Sequence, residues 1–145
     1  MTDTTNRPEP EDFNRQVIEA LRAAGGVLSE GPFAGAPLLV LHTTGRRSGR
    51  TYENPMMYLE LDGRVFVFAS RAGHDEHPDW YLNLVAQPAV TVERGGETYR
   101  ARAVVLDEDE RARVYALQSD AFPQFAEYQR QTSRVIPVVE LVRAD

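Results

Sequence analysis

The sequence predicts an α+β domain of about six strands, mostly antiparallel, closed or nearly closed into a small barrel or sheet with covering helices. Two hairpin signals point to this, Asp62-Gly63 and Gly95-Gly96, each set between strand-like runs. The third observation is the order of elements: helix, three strands, short helix, two strands, helix, strand. At 145 residues, 42% hydrophobic and 26% charged, the chain is long enough to bury one core and ordinary for a soluble domain.

Met1 to Asp12 is polar, acidic and contains proline, so a mobile tail is expected there, with one domain over 13–145. That tail has no apolar core and reads neither as a signal peptide nor as a membrane span. Phe13 to Ala24 is expected to be helical: Phe13, Val17, Ile18 and Leu21 share a face, and Gly25-Gly26 ends the run. Packing on the domain is the ordinary role of such a face. Peripheral contact with lipid is the alternative. Leu38-Leu39-Val40-Leu41 reads as a buried strand. Pro55–Leu61 and Arg64–Ser70 form the first hairpin. Pro78 suits the first turn of a short helix reaching Val85. Val90–Arg94 and Glu97–Leu106 form the second hairpin. Asp107 caps a helix, with Glu110 three residues on. Ala121–Thr132 is aromatic and polar and is broken by Pro123, and Val135–Val142 closes the chain as a strand.

The net charge of -6 argues against a nucleic-acid surface. The chain has no cysteine, so disulfides, thiolate metal sites and cysteine nucleophiles are excluded, in keeping with a cytoplasmic protein. Against this acidic background, Thr43 to Thr51 holds Arg46, Arg47 and Arg50 beside Gly45, Gly49 and Ser48, and no Asp or Glu lies between Glu30 and Glu53. Glycine lets backbone N–H groups approach an anion, and arginine adds permanently charged, fork-shaped donors. A site for one anionic ligand and a solvated strand-to-strand turn fit this pattern about equally. It matches neither a Walker loop nor a dinucleotide fingerprint.

Three further segments are candidates. Ala69-Ser70-Arg71-Ala72-Gly73 puts a cation and a hydroxyl at a strand end. Trp80 and Tyr81 could wall a slot for a flat ring, although core packing is the commoner role for such residues. Phe122, Phe125 and Tyr128 would share a helical face, either as core or as the lining of an acceptor groove with Tyr128 as proton donor. His74, Asp75, Glu76 and His77 lie in one loop without regular ligand spacing, and no metal site is expected.

Four stretches occur in a specific order: 39–49 (LVLHTTGRRSG), 54–58 (NPMMY), 69–73 (ASRAG) and 78–84 (PDWYLNL). Together they resemble the deazaflavin-dependent nitroreductase family of actinobacteria, over about Leu38 to Val142. The resemblance implies a split β-barrel that binds coenzyme F420, with a flat redox-active ring, a phosphate and a polyglutamate tail. It implies that Arg46, Arg47, Ser48, Gly49 and Arg50 meet the anionic part. The ring would then lie near Pro55, Met57, Tyr58, Ser70, Arg71, Ala72 and Gly73, with Trp80 and Tyr81 supporting the pocket. The family usually carries lysine where Arg71 stands.

The implied reaction is hydride transfer from the reduced coenzyme to a quinone, activated enone or nitroaromatic acceptor. Ser70 and Tyr128 are the polar groups expected to assist it, and Phe122, Phe125 and Tyr128 are expected to meet the acceptor. Nitro-activating relatives carry tyrosines where Phe122 and Phe125 stand, which favours a less polar acceptor such as a quinone. An FMN-dependent split-barrel enzyme, a non-catalytic F420 carrier, a lipid-binding barrel and a purely structural domain are the competing readings. The oligomeric state is left open.

Overall fold

Strand β1 (Leu38–Thr44) is buried on both faces, and the fold is arranged around that fact. In the computed structural model, which describes residues 10–31 and 33–144, six strands close into a barrel in the order β1-β2-β3-β6-β5-β4. The other strands are β2 (Thr51–Leu61), β3 (Arg64–Phe68), β4 (Ala89–Arg94), β5 (Glu97–Val105) and β6 (Val138–Arg143). Every pairing is antiparallel, and β1 closes the barrel by pairing with both β2 and β4. This is the α+β split barrel that the sequence predicts.

The period-2 alternation of a strand sorts the apolar residues into an inside and an outside. Leu39 and Leu41, Val65 and Val67, Val90 and Val92, Tyr99, Ala101 and Ala103, and Val139 and Leu141 fill the interior. Small residues from β5 opposite branched ones from β1 and β3 suit a barrel too narrow to hold anything but side chains. Outward-facing Leu38 and Val40 are covered by Ile18 and Leu21 of helix α1 (Pro10–Ala23). Outward-facing Phe66, Phe68 and Val138 are covered by α3 (Glu108–Ala121) and α4 (Gln124–Arg130). The continuous apolar run at Leu38–Leu41 is therefore the mark of a strand with protein on both sides. Helix α2 (Asp79–Ala86) sends Leu84 into the interior cluster.

Several boundaries differ from the sequence reading. The expected tail over Met1–Asp12 lies outside the described residues as far as position 9, and α1 begins at Pro10. β1 runs on to Thr44, and β2 starts at Thr51 rather than Pro55. Pairing from Leu38↔Met57 to Thr44↔Thr51 carries polar residues that lack a strand-like pattern of their own. β3 stops at Phe68, where Ser70 turns into a 3₁₀ turn over Arg71–Gly73. β6 begins at Val138, after Pro137. The Asp107 cap is as expected: its carboxylate accepts from the Glu110 N–H at 2.9 Å.

The far end of α1 is set by glycine. Gly26 has φ +105°, and a Cβ there would fall 2.5 Å from the Gly96 nitrogen, so helix end and hairpin tip meet backbone to backbone. Beside this contact, Arg22 donates to both oxygens of Glu93 at 2.9 and 2.6 Å and lies 3.2 Å from Glu53. His42 Nε2 is 2.6 Å from Glu93. His42, Glu53 and Glu93 have the spacing of a metal-ligand triad, but the Arg22 guanidinium already supplies the positive charge there.

Candidate functional site

The six-residue loop joining β1 to β2 is held in one shape by its own backbone. Gly45 N–H donates to Arg50 O at 2.7 Å, and Gly49 N–H returns to Gly45 O at 2.9 Å. A Cβ on Gly45 would fall 2.6 Å from both Ser48 Oγ and a Tyr52 ring carbon, which would have to move aside, and Gly49 has φ +73°, the left-handed region that favours glycine. Ser48 Oγ accepts the Arg50 N–H at 3.1 Å and lies 3.2 Å from the Tyr52 hydroxyl. Its hydroxyl therefore shapes the loop.

Beneath the loop lies an open cleft of about 730 Å³. Of the predicted residues, Arg46, Arg47, Ser48, Pro55, Arg71 and Trp80 line it. Pro55 comes from β2 and Trp80 from α2, while Arg71 comes from the 3₁₀ turn. Three guanidinium groups thus share one wall system with an indole. Asn14, Tyr52, Asn54, Asp79 and Asn83 also line it and were not singled out from sequence. Asn83 is buried; its Oδ1 accepts from Arg46 N–H at 3.1 Å and Arg46 Nη1 at 2.8 Å, and its amide donates to Thr43 Oγ1 at 3.5 Å.

The cations have carboxylate neighbours that are easily exchanged. Arg46 Nη2 lies 3.4 Å from Asp79, and Arg71 Nη1 lies 3.1 Å from Glu76, with Asp79 and Glu76 side chains 87% and 84% exposed. Such pairs are worth about 0–1 kcal/mol. An anionic ligand that makes forked contacts to the same arginines outcompetes them. Arg47 has no salt-bridge partner among the described residues.

The 3₁₀ turn is strained. Arg71 and Ala72 have φ of +45° and +51°, left-handed values that cost a non-glycine residue roughly 1–3 kcal/mol. Gly73 also has positive φ, and a Cβ there would meet the Tyr128 backbone at 3.0–3.1 Å, so the turn rests directly on α4. Arg134 spans the turn from the opposite side. Its Nε donates to His74 O at 2.8 Å, Nη1 to Ala69 O at 3.1 Å and Nη2 to Ser70 O at 2.8 Å. Nη1 is also 3.1 Å from His77 Nδ1, which accepts. Burial, followed by the charge of Arg134, lowers the His77 pKa below its ordinary value and keeps the ring neutral for that role. Thr132 adds a bond to Asp75 at 2.8 Å. No local pattern marks the Arg134 side chain, because all four partners of its guanidinium lie more than fifty residues earlier in the chain.

Other predicted residues fall outside the cleft lining. Tyr58 alternates with Pro55 and Met57 on β2, so it joins the interior cluster, where Arg94 lies 5.4 Å over its ring. Met57 packs between the α1 and α4 sides of the barrel. Tyr81 packs toward the interior, its ring 4.8 Å from that of His77. Gly49 and Arg50 belong to the loop, and Ser70, Ala72 and Gly73 to the turn. Phe125 needs correcting as an acceptor contact: it is 5% exposed and packs edge-on to Phe68 and Tyr115, which removes it from any groove. Phe122 and Tyr128 are half-buried on the same cluster. Tyr128 packs on Phe125 at 5.3 Å and touches Gly73 through its backbone. Tyr115 donates to Phe125 O at 2.6 Å, and burial pushes its phenol up to about 12, which makes it a structural donor.

Comparison with known proteins places this arrangement. The sequence model of the F420H(2)-dependent quinone reductase family matches residues 13–143. Rv3178 of Mycobacterium tuberculosis (strain H37Rv), provisionally named an F420H(2)-dependent quinone reductase, is 38% identical over 105 residues, covering 72% of this chain and 88% of the relative. The F420H(2)-dependent quinone reductase Rv1261c of the same organism is 32% identical over 110 residues, covering 74% of each chain. A solved structure named F420-H2 dependent reductase (FDR-A) superposes with TM-score 0.66 at 37% identity, covering 72% of this chain and 93% of that one.

Proposed function

The chain belongs to the F420H(2)-dependent quinone reductase family and is an F420H(2)-dependent reductase; on that premise we propose that the cleft under residues 45–50 holds the coenzyme and that the acceptor is a quinone approaching from the α4 side. The observation that carries this reading is the convergence of Arg46, Arg47 and Arg71 with Trp80 and Pro55 on one cleft of about 730 Å³.

The residues fit the group. That volume is within the range of cofactor clefts, about 300–1,000 Å³. Its cations have the sign that a phosphate and carboxylates require, and its apolar wall suits a flat ring. Arg46 and Arg47 would hold the anionic portion, with Arg50 beside them at the loop's end. Pro55, Trp80 and the Ser70–Gly73 turn would border the ring, while Met57, Tyr58 and Tyr81 support those walls from behind. The bound coenzyme supplies the hydride chemistry. The protein orients the acceptor, keeps water out and offers a hydrogen bond where charge develops on a quinone oxygen. Ser70 and Tyr128 flank the turn and are the groups proposed for that hydrogen bond. Phe122 offers the apolar surface beside Tyr128.

The test is a fluorescence titration with oxidised F420, with FMN in parallel and an Arg46→Ala/Arg47→Ala protein as control. Saturable F420 binding, weakened at least tenfold in the double variant and absent for FMN, is expected. Equal affinity in the double variant would place the coenzyme elsewhere. Steady-state reduction of menadione, an enone and a nitroaromatic by F420H(2) is expected to rank the quinone first. No helix among the described residues is long and apolar enough to cross a bilayer.

A further inference from the structure

We infer that Arg134 is a positioning residue for the coenzyme: one guanidinium, reaching across from the far end of the chain, holds the strained Ala69–His74 turn in the shape that presents Arg71 to the cleft. The inference rests on the reading of the cleft given above.

Four observations carry it. Arg71 and Ala72 are both left-handed although neither is glycine, so the turn does not hold that shape by intrinsic preference. Three carbonyls on both sides of the strained pair, at Ala69, Ser70 and His74, accept from the same guanidinium at 2.8–3.1 Å. Three diverging carbonyls match arginine's planar fork and do not match the point charge of lysine. Finally, among the described residues the hydrogen-bond partners of the Arg134 guanidinium are three carbonyls and neutral His77, so its donors are spent on organising the turn. Burial lowers its pKa from the ordinary arginine value.

The peptide geometry has a consequence. No peptide bond among the described residues is cis. In a trans peptide the C=O and N–H point in opposite directions. With the Ala69 and Ser70 carbonyls turned toward Arg134, the N–H groups of Ser70 and Arg71 point away from it. Ser70 is right-handed (φ -77°, ψ -35°) and Arg71 is left-handed, the pairing that makes successive N–H groups converge on an electron-rich atom. Arg134 thus presents two backbone donors and one cationic side chain together. His77, which also accepts from Arg134, stands next to Pro78 and the start of α2, so the same guanidinium ties the turn to the helix that carries Trp80.

The test uses full-length protein with Arg134→Lys and Arg134→Ala, read by F420 fluorescence titration, thermal melting and menadione kinetics. Both variants are expected to fold and to bind F420 about tenfold or more weakly. Lysine should not restore affinity, and added guanidinium ion should partly restore it in Arg134→Ala. At saturating F420H(2), the KM for menadione should change less than the coenzyme Kd. Wild-type F420 affinity in a folded Arg134→Lys protein would overturn the inference, as would loss of folding in both variants, which would make Arg134 a general structural residue. Absence of F420 binding by the unmodified protein is a different result: it defeats the reading of the cleft, and this inference with it.

Discussion

Asn83 accepts two hydrogen bonds from Arg46, one from the backbone N–H and one from Nη1, so a buried amide on α2 sets the direction of a cation on the β1–β2 loop. Hydrogen bonds to a charged group are worth about 1.5–3 kcal/mol. Asn83→Ala is expected to weaken F420 binding about tenfold and to lower unfolding free energy by about 1–3 kcal/mol, read by titration and by denaturant melting. Unchanged affinity would show that Arg46 finds its ligand without Asn83.

Tyr128→Phe separates chemistry from binding. Tyr128 is not among the residues lining the cleft, so F420 affinity is expected to stay within about twofold. If Tyr128 supplies the hydrogen bond to the acceptor, kcat for menadione falls by about tenfold or more. An unaltered kcat removes Tyr128 from the reaction and leaves Ser70 as the remaining candidate.

Gly73 is a position where one methyl group has backbone consequences. Its φ is +83°, and the added carbon of Gly73→Ala would meet Tyr128 Cα at 3.1 Å and Tyr128 O at 3.0 Å. The expected cost is about 1–3 kcal/mol, from the left-handed conformation and the displacement of α4. Thermal melting measures it. A melting temperature equal to that of the unmodified protein would show that the turn and α4 are not in rigid contact.

Acid should loosen the α1 end of the barrel through Glu93. Its hydrogen bonds from Arg22, ahead of those with His42, hold the folded carboxyl at about 2, below its ordinary 4.5. A group depressed on folding stabilises the fold fully above its unfolded pKa, and that contribution disappears as pH falls through the folded value. The window is therefore about pH 4.5 down to about 2. Arg22 is half-exposed, so screening limits the effect to roughly 1–2 kcal/mol. Melting temperature should fall more steeply across this window in the unmodified protein than in Glu93→Gln. Parallel curves would remove Glu93 as the source.

Much of the barrel was legible because its signals are local. Asp62-Gly63 and Gly95-Gly96 mark both hairpins, and Leu38–Leu41 shows by its unbroken apolarity that both faces of β1 are covered. Asp107 announces its helix through a bond only three residues long. The arginine loop and Arg71 were legible as a charge anomaly. What was missed depends on distance or on facing. The resemblance places Tyr58 near the ring together with Pro55 and Met57, yet one step along a strand reverses its direction, and Tyr58 packs on the interior cluster. Phe125 was grouped with Phe122 and Tyr128 by spacing, and only the packing of α4 on Phe68 decides which of them is sealed. Arg134 carries no local mark, since its meaning lies in carbonyls presented by a distant turn.

A closed barrel has no free strand edge, and here the cleft is built from what projects beyond it. The arginine loop hangs between β1 and β2, whereas the aromatic segment with α4 lies between α3 and β6 and joins the sheet only at its far end. The two halves of the proposed site therefore come from separate stretches of the chain. On the proposed reading, Phe122 and Tyr128 are the positions of that segment open to exchange for acceptor scope, because Phe125 is sealed in the core and Gln129 bonds the Arg134 carbonyl and the Ile136 N–H. Diversification of this scaffold is therefore expected at those two positions, with the rest of the segment anchored.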